Sequence, residues 1–248
     1  MRKTLSFGRR AWYNRAKRRE TEEKNVQTHA ESGPGYPGRG RKAAEGGMLY
    51  WWKKREGDSY MKKIYLMRHG ETLFNTMDIN QGQCDSPLTE NGIRQAKAAK
   101  AWFEAHNVQF DAVYSSTSER ACDTAELVSG GMSYTRRKDL KEIFLGIKEA
   151  SPIRENPTYP YGDYFVKYGG EDLDAFTERV YGAVKDIAEH AAGECILIVS
   201  HGMAIRRFLT KFPEKAGEIT GFIGNCGILE MTYENGKLAV EEIINPNG

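Results

Sequence analysis

Cysteine is scarce in this chain, with 4 among 248 residues. Cys84, Cys122, Cys195 and Cys226 stand far apart with no paired spacing. That scatter suggests neither a zinc cluster nor a disulfide framework, and it fits a reducing compartment. Long apolar runs are missing as well. No stretch approaches the ~20 apolar residues of a membrane span, and the beginning lacks the apolar core of a signal peptide. No membrane partner is therefore expected, and the expected location is cytoplasmic. A solenoid-type internal repeat is also lacking.

An excess of one charge is absent overall, at +2, but the charges are unevenly placed. Residues 1–60 hold 15 Lys and Arg against 7 Asp and Glu, a net +8 that leaves −6 for residues 61–248. The basic pI of about 8.2 is thus no guide to the partners of the second part. The first sixty residues show no periodic apolar pattern. Ser32-Gly33-Pro34-Gly35-Tyr36-Pro37-Gly38-Arg39-Gly40 cannot hold a helix or a central strand, and little apolar surface is available to offset the entropy of ordering. Residues 1–60 read as a basic, disordered N-terminal extension. An Arg-rich start also fits a transit peptide or an RNA-binding arm, although Glu20, Glu22 and Glu23 weaken both. Nucleic acid is expected as a partner only through this tail. Met61-Lys62-Lys63 opens a strand without preamble and would make a natural start position, so the extension is also read as one the native protein can lack. A peptide from residues 1–60 in the endogenous protein would rule that out.

Residues 61–248 alternate strand and helix signals. Lys63 to Met67 is a short apolar run ending at Arg68-His69-Gly70, a buried strand followed by a turn. After a loop through Gln81-Gly82-Gln83-Cys84-Asp85 and Pro87, Thr89 caps a helix with Ile93, Ala96, Ala99 and Phe103 on one face. Asp111 to Ser115 is a second strand. Ser116-Thr117-Ser118-Glu119 matches a capping box, which starts a helix with Arg120 in its first turn. The span from about 130 to 170 is irregular. Leu173, Phe176, Val180, Val184 and Ile187 then mark an amphipathic helix. Ile196 to Val199 is a continuous apolar strand, as expected when helices cover both faces, and it ends at Ser200-His201-Gly202 before another helix. Ile228–Tyr233 and Leu238–Ile244 form a hairpin around Glu234-Asn235-Gly236. The alternation predicts a three-layer α/β/α sandwich with a mainly parallel sheet. Ligands of such sheets sit outside the carboxyl ends of the strands, and both His-Gly pairs fall there.

Five histidines occur. His29 lies in the extension, and His106 and His190 close predicted helices, where the dipole favours them, so these read as structural. His69 and His201 each end a buried strand and precede glycine. Phosphoryl transfer needs a nucleophile in line with phosphorus, donors around the equatorial oxygens and an acid for the leaving oxygen. A neutral imidazole can be that nucleophile, forming a phosphohistidine that water resolves. Arg68 and Arg120 supply planar donors suited to phosphate, and the helix start before Arg120 adds backbone N–H groups.

The residues in order resemble the histidine phosphatase superfamily, also called phosphoglycerate-mutase-like. The resemblance runs through Arg68-His69-Gly70-Glu71-Thr72 with Asn75, Gln81-Gly82, Asp85-Ser86-Pro87-Leu88-Thr89 and Tyr114-Ser115-Ser116. It continues through Arg120-Ala121-Cys122-Asp123-Thr124-Ala125, Leu140-Lys141-Glu142 with Gly146, Gly170-Glu171 and Ser200-His201-Gly202. It covers nearly all of residues 61–248, read as the catalytic domain, and none of 1–60. What it implies is a phosphoglycerate-mutase-like fold with His69 as the phosphorylated nucleophile. Arg68, Arg120, Asn75 and His201 would bind the phosphoryl group, and Glu142 would donate and then accept the proton. Thr72, Gln81, Gly82 and Gly202 become candidate substrate-pocket residues, with a turn role the alternative for Gly202. No metal or organic cofactor is implied, because the arginines supply the charge.

Within the family, the resemblance sets phosphatases against mutases. Mutases follow the acid–base Glu with Arg and carry a longer basic insertion, whereas here Ile143 follows Glu142 and Ile79 stands where many members have Arg. Between Glu149 and Gly169 only Arg154 and Lys167 are basic. The expected activity is hydrolysis of small-molecule phosphate monoesters. A cofactor-dependent mutase and a catalytically weak phosphate-recognising protein are the alternatives. Ile147, Ala150 and Asp172 depart from the common Trp, Gly and Ser in what reads as the substrate cap. Tyr159, Tyr161, Tyr164 and Phe165 read either as the wall of an apolar pocket or as loop packing. The oligomeric state is left open.

Overall fold

A computed structural model of the protein describes residues 61–216 and 223–247. The basic extension read over 1–60 lies outside the described residues. Strand β1 (Lys62–Arg68) shows why its apolar run is continuous. Ile64 and Leu66 join the core on one face of the sheet, and Tyr65 and Met67 the core on the other. The period-2 alternation of a strand thus serves two apolar layers. Strand β4 (Cys195–Ser200) divides in the same way, with Ile196 and Ile198 on one side and Leu197 and Val199 on the other.

The sheet has six strands in the order β3-β2-β4-β1-β5-β6, with β2 at Ala112–Ser116 and β3 at Thr135–Arg137. The first four are parallel. Strands β5 (Ile228–Glu234) and β6 (Lys237–Ile244) form the expected hairpin and add an antiparallel edge. Asn235 and Gly236 both have positive φ, 52° and 79°, the requirement of a tight turn matched to strand twist.

Between β1 and β2 lie the single turn α1 (Leu73–Thr76) and helix α2 (Glu90–Ala105). Helix α2 packs with α3 (Glu119–Ser129) on one face. Helices α4 (Leu173–His190) and α5 (Gly202–Leu209) cover the other, and the short α6 (Pro213–Ala216) follows. The architecture is the expected α/β/α sandwich. Thr89 caps α2 by accepting from the Gly92 N–H, as its sequence predicts.

The capping box at Ser116–Glu119 does not form. Ser118 is the N-cap residue of α3 and its side chain makes no capping bond. The Asp85 carboxylate, from the loop before α2, accepts from the Glu119 and Arg120 N–H groups instead. A charged acceptor delivered from elsewhere in the chain outcompetes a neutral local hydroxyl. His106 and His190 are helix-end residues as expected, with Nδ1 on the Trp102 and Asp186 carbonyls at 2.7 and 3.0 Å.

Candidate active site

Parallel pairing of β1 with β4 places Arg68 opposite Ser200, so the residues that follow, His69 and His201, emerge side by side. Their rings lie 5.3 Å apart, edge to face. Strand β2 flanks β4 and feeds α3, which brings Arg120 to the same edge. The site therefore forms at the carboxyl ends of three adjacent parallel strands.

His69 is buried, and its Nδ1 lies 2.8 Å from the Gly70 carbonyl oxygen. A carbonyl only accepts, so Nδ1 carries the proton and Nε2 keeps its lone pair. Arg120 Nε donates to that Nε2 at 3.3 Å. Burial, then the positive charges of Arg120 and Arg68, hold the His69 imidazolium far below the ordinary histidine range. A neutral ring with a fixed tautomer and its lone pair on Nε2 is the state a nucleophile needs. The Gly70 N–H donates to Thr124 Oγ1, and Asn225 Nδ2 donates to the His69 carbonyl, fixing the turn from both sides. A Cβ at Gly70 would stand 2.6 Å from the Gly92 carbonyl oxygen, so this turn can pack on α2 only as glycine.

His201 is fully buried. Arg120 Nη2 donates to its Nδ1 at 3.1 Å, so its Nε2 holds the proton and donates to Ser116 Oγ at 2.7 Å. Burial and the Arg120 charge keep this ring neutral too.

Arg120 is only 1% exposed, and all five of its N–H groups are bonded. Nη1 meets the Cys84 carbonyl and Asp85, and Nη2 meets the Gly82 carbonyl and His201, while Nε meets His69. Two of these bonds, to the imidazole nitrogens, lie on one edge of the guanidinium. A phosphoryl group on His69 Nε2 would take over that edge and leave the anchoring bonds intact. The backbone N–H groups at the start of α3 are not free for phosphate, because Asp85 has taken them. Arg68 is differently placed. Its Nη1 donates to the Ile223 carbonyl at 2.7 Å, and its buried Nε has no partner among the described residues. A Cβ at Gly202 would sit 3.1 Å from that Nε, so the glycine makes room for the guanidinium.

Glu142 is partly buried, with Oε1 accepting from the Ile143 N–H and Oε2 from the Met203 N–H, both at 3.0 Å. Desolvation raises its pKa, against the lowering by those two bonds and by Arg120 and Arg68. Asn75 Oδ1 accepts from the Thr72 N–H and hydroxyl, both at 3.1 Å, which leaves its Nδ2 donors as the groups it can offer a ligand. A cleft of about 240 Å³ is lined by Arg68, His69, Asn75, Gln81, Gly82, Arg120, Glu142 and Gly202. Thr72 does not line it. This residue is buried and caps α1, so its part is to orient Asn75.

These positions lie within a match of residues 64–246 to the model of the histidine phosphatase superfamily, branch 1. The chain belongs to this superfamily. It is 34% identical over 190 residues to the probable phosphoglycerate mutase GpmB of Yersinia pestis, covering 70% of this chain and 86% of that protein. Among solved structures it resembles phosphoglycerate mutase from Bacillus anthracis, at 27% identity and a TM-score of 0.66 over 76% of this chain and 95% of that one. It also resembles phosphoserine phosphatase from Entamoeba histolytica in complex with phosphoserine, at 25% identity and a TM-score of 0.63, over 75% and 98% of the two chains.

Seen as a histidine phosphatase superfamily enzyme, the chain shows which departures reach the cleft. Ile79 and Ile143 line it, whereas Ile147, Ala150 and Asp172 do not. Ile147 is 81% exposed. Ala150 has φ +58°, a left-handed backbone that explains why glycine is frequent there. Asp172 caps α4 by accepting from Asp174 and Ala175, a task serine performs equally. Of the four aromatics, Tyr161 and Phe165 line the cleft. Tyr159 lies under Arg206, and Tyr164 packs edge-on against Phe165 and Tyr168. Among the described residues no group of three or more His, Cys, Asp or Glu side chains could hold a metal ion, and no helix is long and apolar enough to cross a membrane. The four cysteines are unpaired.

Several residues that build the site have no role assigned from sequence: Asp85 and Ser116 stand in the family pattern without one, and Asn225 and Arg179 lie outside it. Ser116, Asp85 and Asn225 act through His201, Arg120 and His69. Arg179 on α4 binds Glu171 through Nε and Nη2 at 2.8 and 2.7 Å. It also donates to the carbonyls of Asp139, Lys141 and Glu142. That clamp holds the segment carrying Glu142, which has no regular secondary structure of its own. Arg179→Met is expected to lower turnover of alkyl phosphates about tenfold while inorganic phosphate binds within twofold of wild type. Equal loss of phosphate binding would show a general collapse of the site instead.

Proposed function

We propose that the chain is a phosphatase acting on small-molecule phosphate monoesters. The observation that carries this reading is the pairing, in one cleft, of a neutral His69 whose lone pair is on Nε2 with a Glu142 carboxyl whose pKa desolvation raises. In the first step His69 Nε2 attacks phosphorus, the bond to the leaving oxygen breaks, and Glu142 gives that oxygen its proton. Arg68, Asn75 and Arg120 hold the transferred oxygens, with His201 beside them. In the second step water attacks the phosphohistidine as Glu142 takes its proton. Phosphate leaves, and His69 and protonated Glu142 are restored. A positioned acid–base group contributes roughly 10²–10⁴ in rate.

Transfer to a second hydroxyl, the mutase reading, has support in the likeness to phosphoglycerate mutases. Ile79 and Ile143 favour hydrolysis, because both line the cleft where a sugar acid would need a cation. Incubation with 3-phosphoglycerate distinguishes the two readings: free phosphate is expected to accumulate faster than 2-phosphoglycerate.

The pH profile follows from the two shifts. His69 must be neutral, and its depressed pKa moves the acidic limb well below the ordinary imidazole range. Glu142 must be protonated, and its raised pKa moves the alkaline limb above the ordinary carboxylate range. Glu142→Gln is expected to slow alkyl phosphates about 10²-fold or more, to affect p-nitrophenyl phosphate least, and to remove the alkaline limb. Equal slowing for all leaving groups would refute the acid role.

A further inference from the structure

Part of the cleft wall belongs to a strap with little regular structure. Ile153, Asn156, Tyr161 and Phe165 line the cleft from this strap. The 3₁₀ turns Ile153–Glu155 and Val166–Tyr168 bracket it, and residues 156–165 form neither helix nor strand. Without a ladder of main-chain bonds, such a segment depends on side-chain anchors for its position. Asn156 is one anchor, exchanging hydrogen bonds with Asn80 in both directions at 2.7 and 3.1 Å. Buried Phe165 is another. A third lies between them, where Arg206 of α5 holds its guanidinium carbon 3.5 Å from the centre of the Tyr159 ring. Gly202 and Met203, which line the cleft, stand four and three residues before Arg206, so the three share one face of α5.

Tyr159 does not line the cleft itself. It meets Tyr161 edge to face at 5.5 Å and 84°, and Tyr161 meets Phe165 in the same way at 5.2 Å and 81°. Contacts of this kind fix the angle of a ring as well as its position. The Arg206 charge also reaches Tyr161, where it opposes the upward pKa shift that burial imposes on the phenol. We propose that Arg206 is a positioning residue for the leaving group: stacked on Tyr159, it fixes through that ring the angle at which Tyr161 faces the alcohol released. Arg206 does not line the cleft, so it governs which esters fit rather than the phosphoryl step. This rests on the hydrolase reading above and adds to it a selection for leaving groups that reach Tyr161 and lay an apolar face on Ile153 and Phe165.

Ethyl phosphate and 2-phenylethyl phosphate test it, because they release alcohols of similar basicity and the second extends further from phosphorus. Assayed on the full chain, the phenylethyl-to-ethyl ratio of kcat/KM is expected to fall about fivefold in Arg206→Met, mainly through KM for the phenylethyl ester. The ratio is taken within one enzyme preparation and so is insensitive to partial unfolding. Tyr159→Phe keeps the ring and should hold the ratio within about twofold of wild type, whereas Tyr159→Leu should lower it as Arg206→Met does. Added to Tyr159→Leu, Arg206→Met should lower the ratio no further, the mark of two residues acting as one unit. An unchanged ratio in Arg206→Met, or equal loss on both esters, would overturn the inference while leaving hydrolysis intact. Additive losses in the double variant would overturn it too, by showing that Arg206 acts otherwise than through Tyr159. If neither ester is turned over faster than by His69→Ala, the hydrolase reading falls and this inference with it.

Discussion

His69→Ala is expected to reduce kcat for p-nitrophenyl phosphate by roughly 10⁴–10⁶-fold, the scale seen when a covalent nucleophile is removed. The loss is that large because no neighbouring group can substitute. His201 is the other ring in the site, but it is fully buried and does not line the cleft. The substitution removes a buried ring whose Nδ1 serves only the Gly70 carbonyl, so the fold is expected to survive. Rapid quench of the wild type under alkaline conditions should trap a phosphoenzyme that is lost in acid, as a phosphoramidate is, and that His69→Ala does not form. A wild type no faster than His69→Ala would abolish the enzymatic assignment and favour a phosphate-recognising protein.

Arg120→Met should damage both activity and stability. The side chain is almost wholly buried, and its removal takes the donors from the carbonyls of Gly82 and Cys84, both bonded at 2.8 Å, while exposed Asp85 keeps its backbone N–H partners. Leaving a buried acceptor unpaired costs about 1–3 kcal/mol, which for a domain of this size lowers Tm by roughly 2–12 °C. Residual activity of the folded fraction should fall at least 10²-fold, since the edge facing both imidazoles is lost. Differential scanning calorimetry with and without inorganic phosphate separates the effects, because stabilisation by phosphate should vanish in the variant. Unchanged Tm would mean that the Gly82 and Cys84 carbonyls find other partners, contrary to the bonding described.

Much of this was readable from residue order. The apolar run of β4 and the spacing along α4 are direct consequences of burial on two faces and on one. His69, His201, Arg68 and Arg120 could be singled out because each stands where a buried element ends. Glu142 could not: it lies in an irregular segment, and only its place in a family pattern distinguished it from 33 other acids. The failed capping box at Ser116–Glu119 has the same origin. Local rules weigh local acceptors, and Asp85 arrives from 34 residues away in the chain. Tyr159 and Tyr164 illustrate a further boundary. Composition marked an aromatic segment, but which rings face the cleft depends on how the 3₁₀ turns between Gly146 and Tyr168 fold over the sheet edge.

Two helices of the site, α3 and α5, begin without a side-chain cap of their own, and each takes a carboxylate from a distant loop. For α5 the borrowed carboxylate is Glu142, the group assigned the proton. In the proposed mechanism the same atoms close a helix and change protonation in every turnover. Mutational drift at this position is doubly policed, since a residue that fails as an acid also frays the helix carrying Gly202. Glutamine, which keeps an oxygen for Met203, is the substitution that separates the two duties. A library selected only for thermal stability should retain Glu142 or accept glutamine there, long before activity is ever screened.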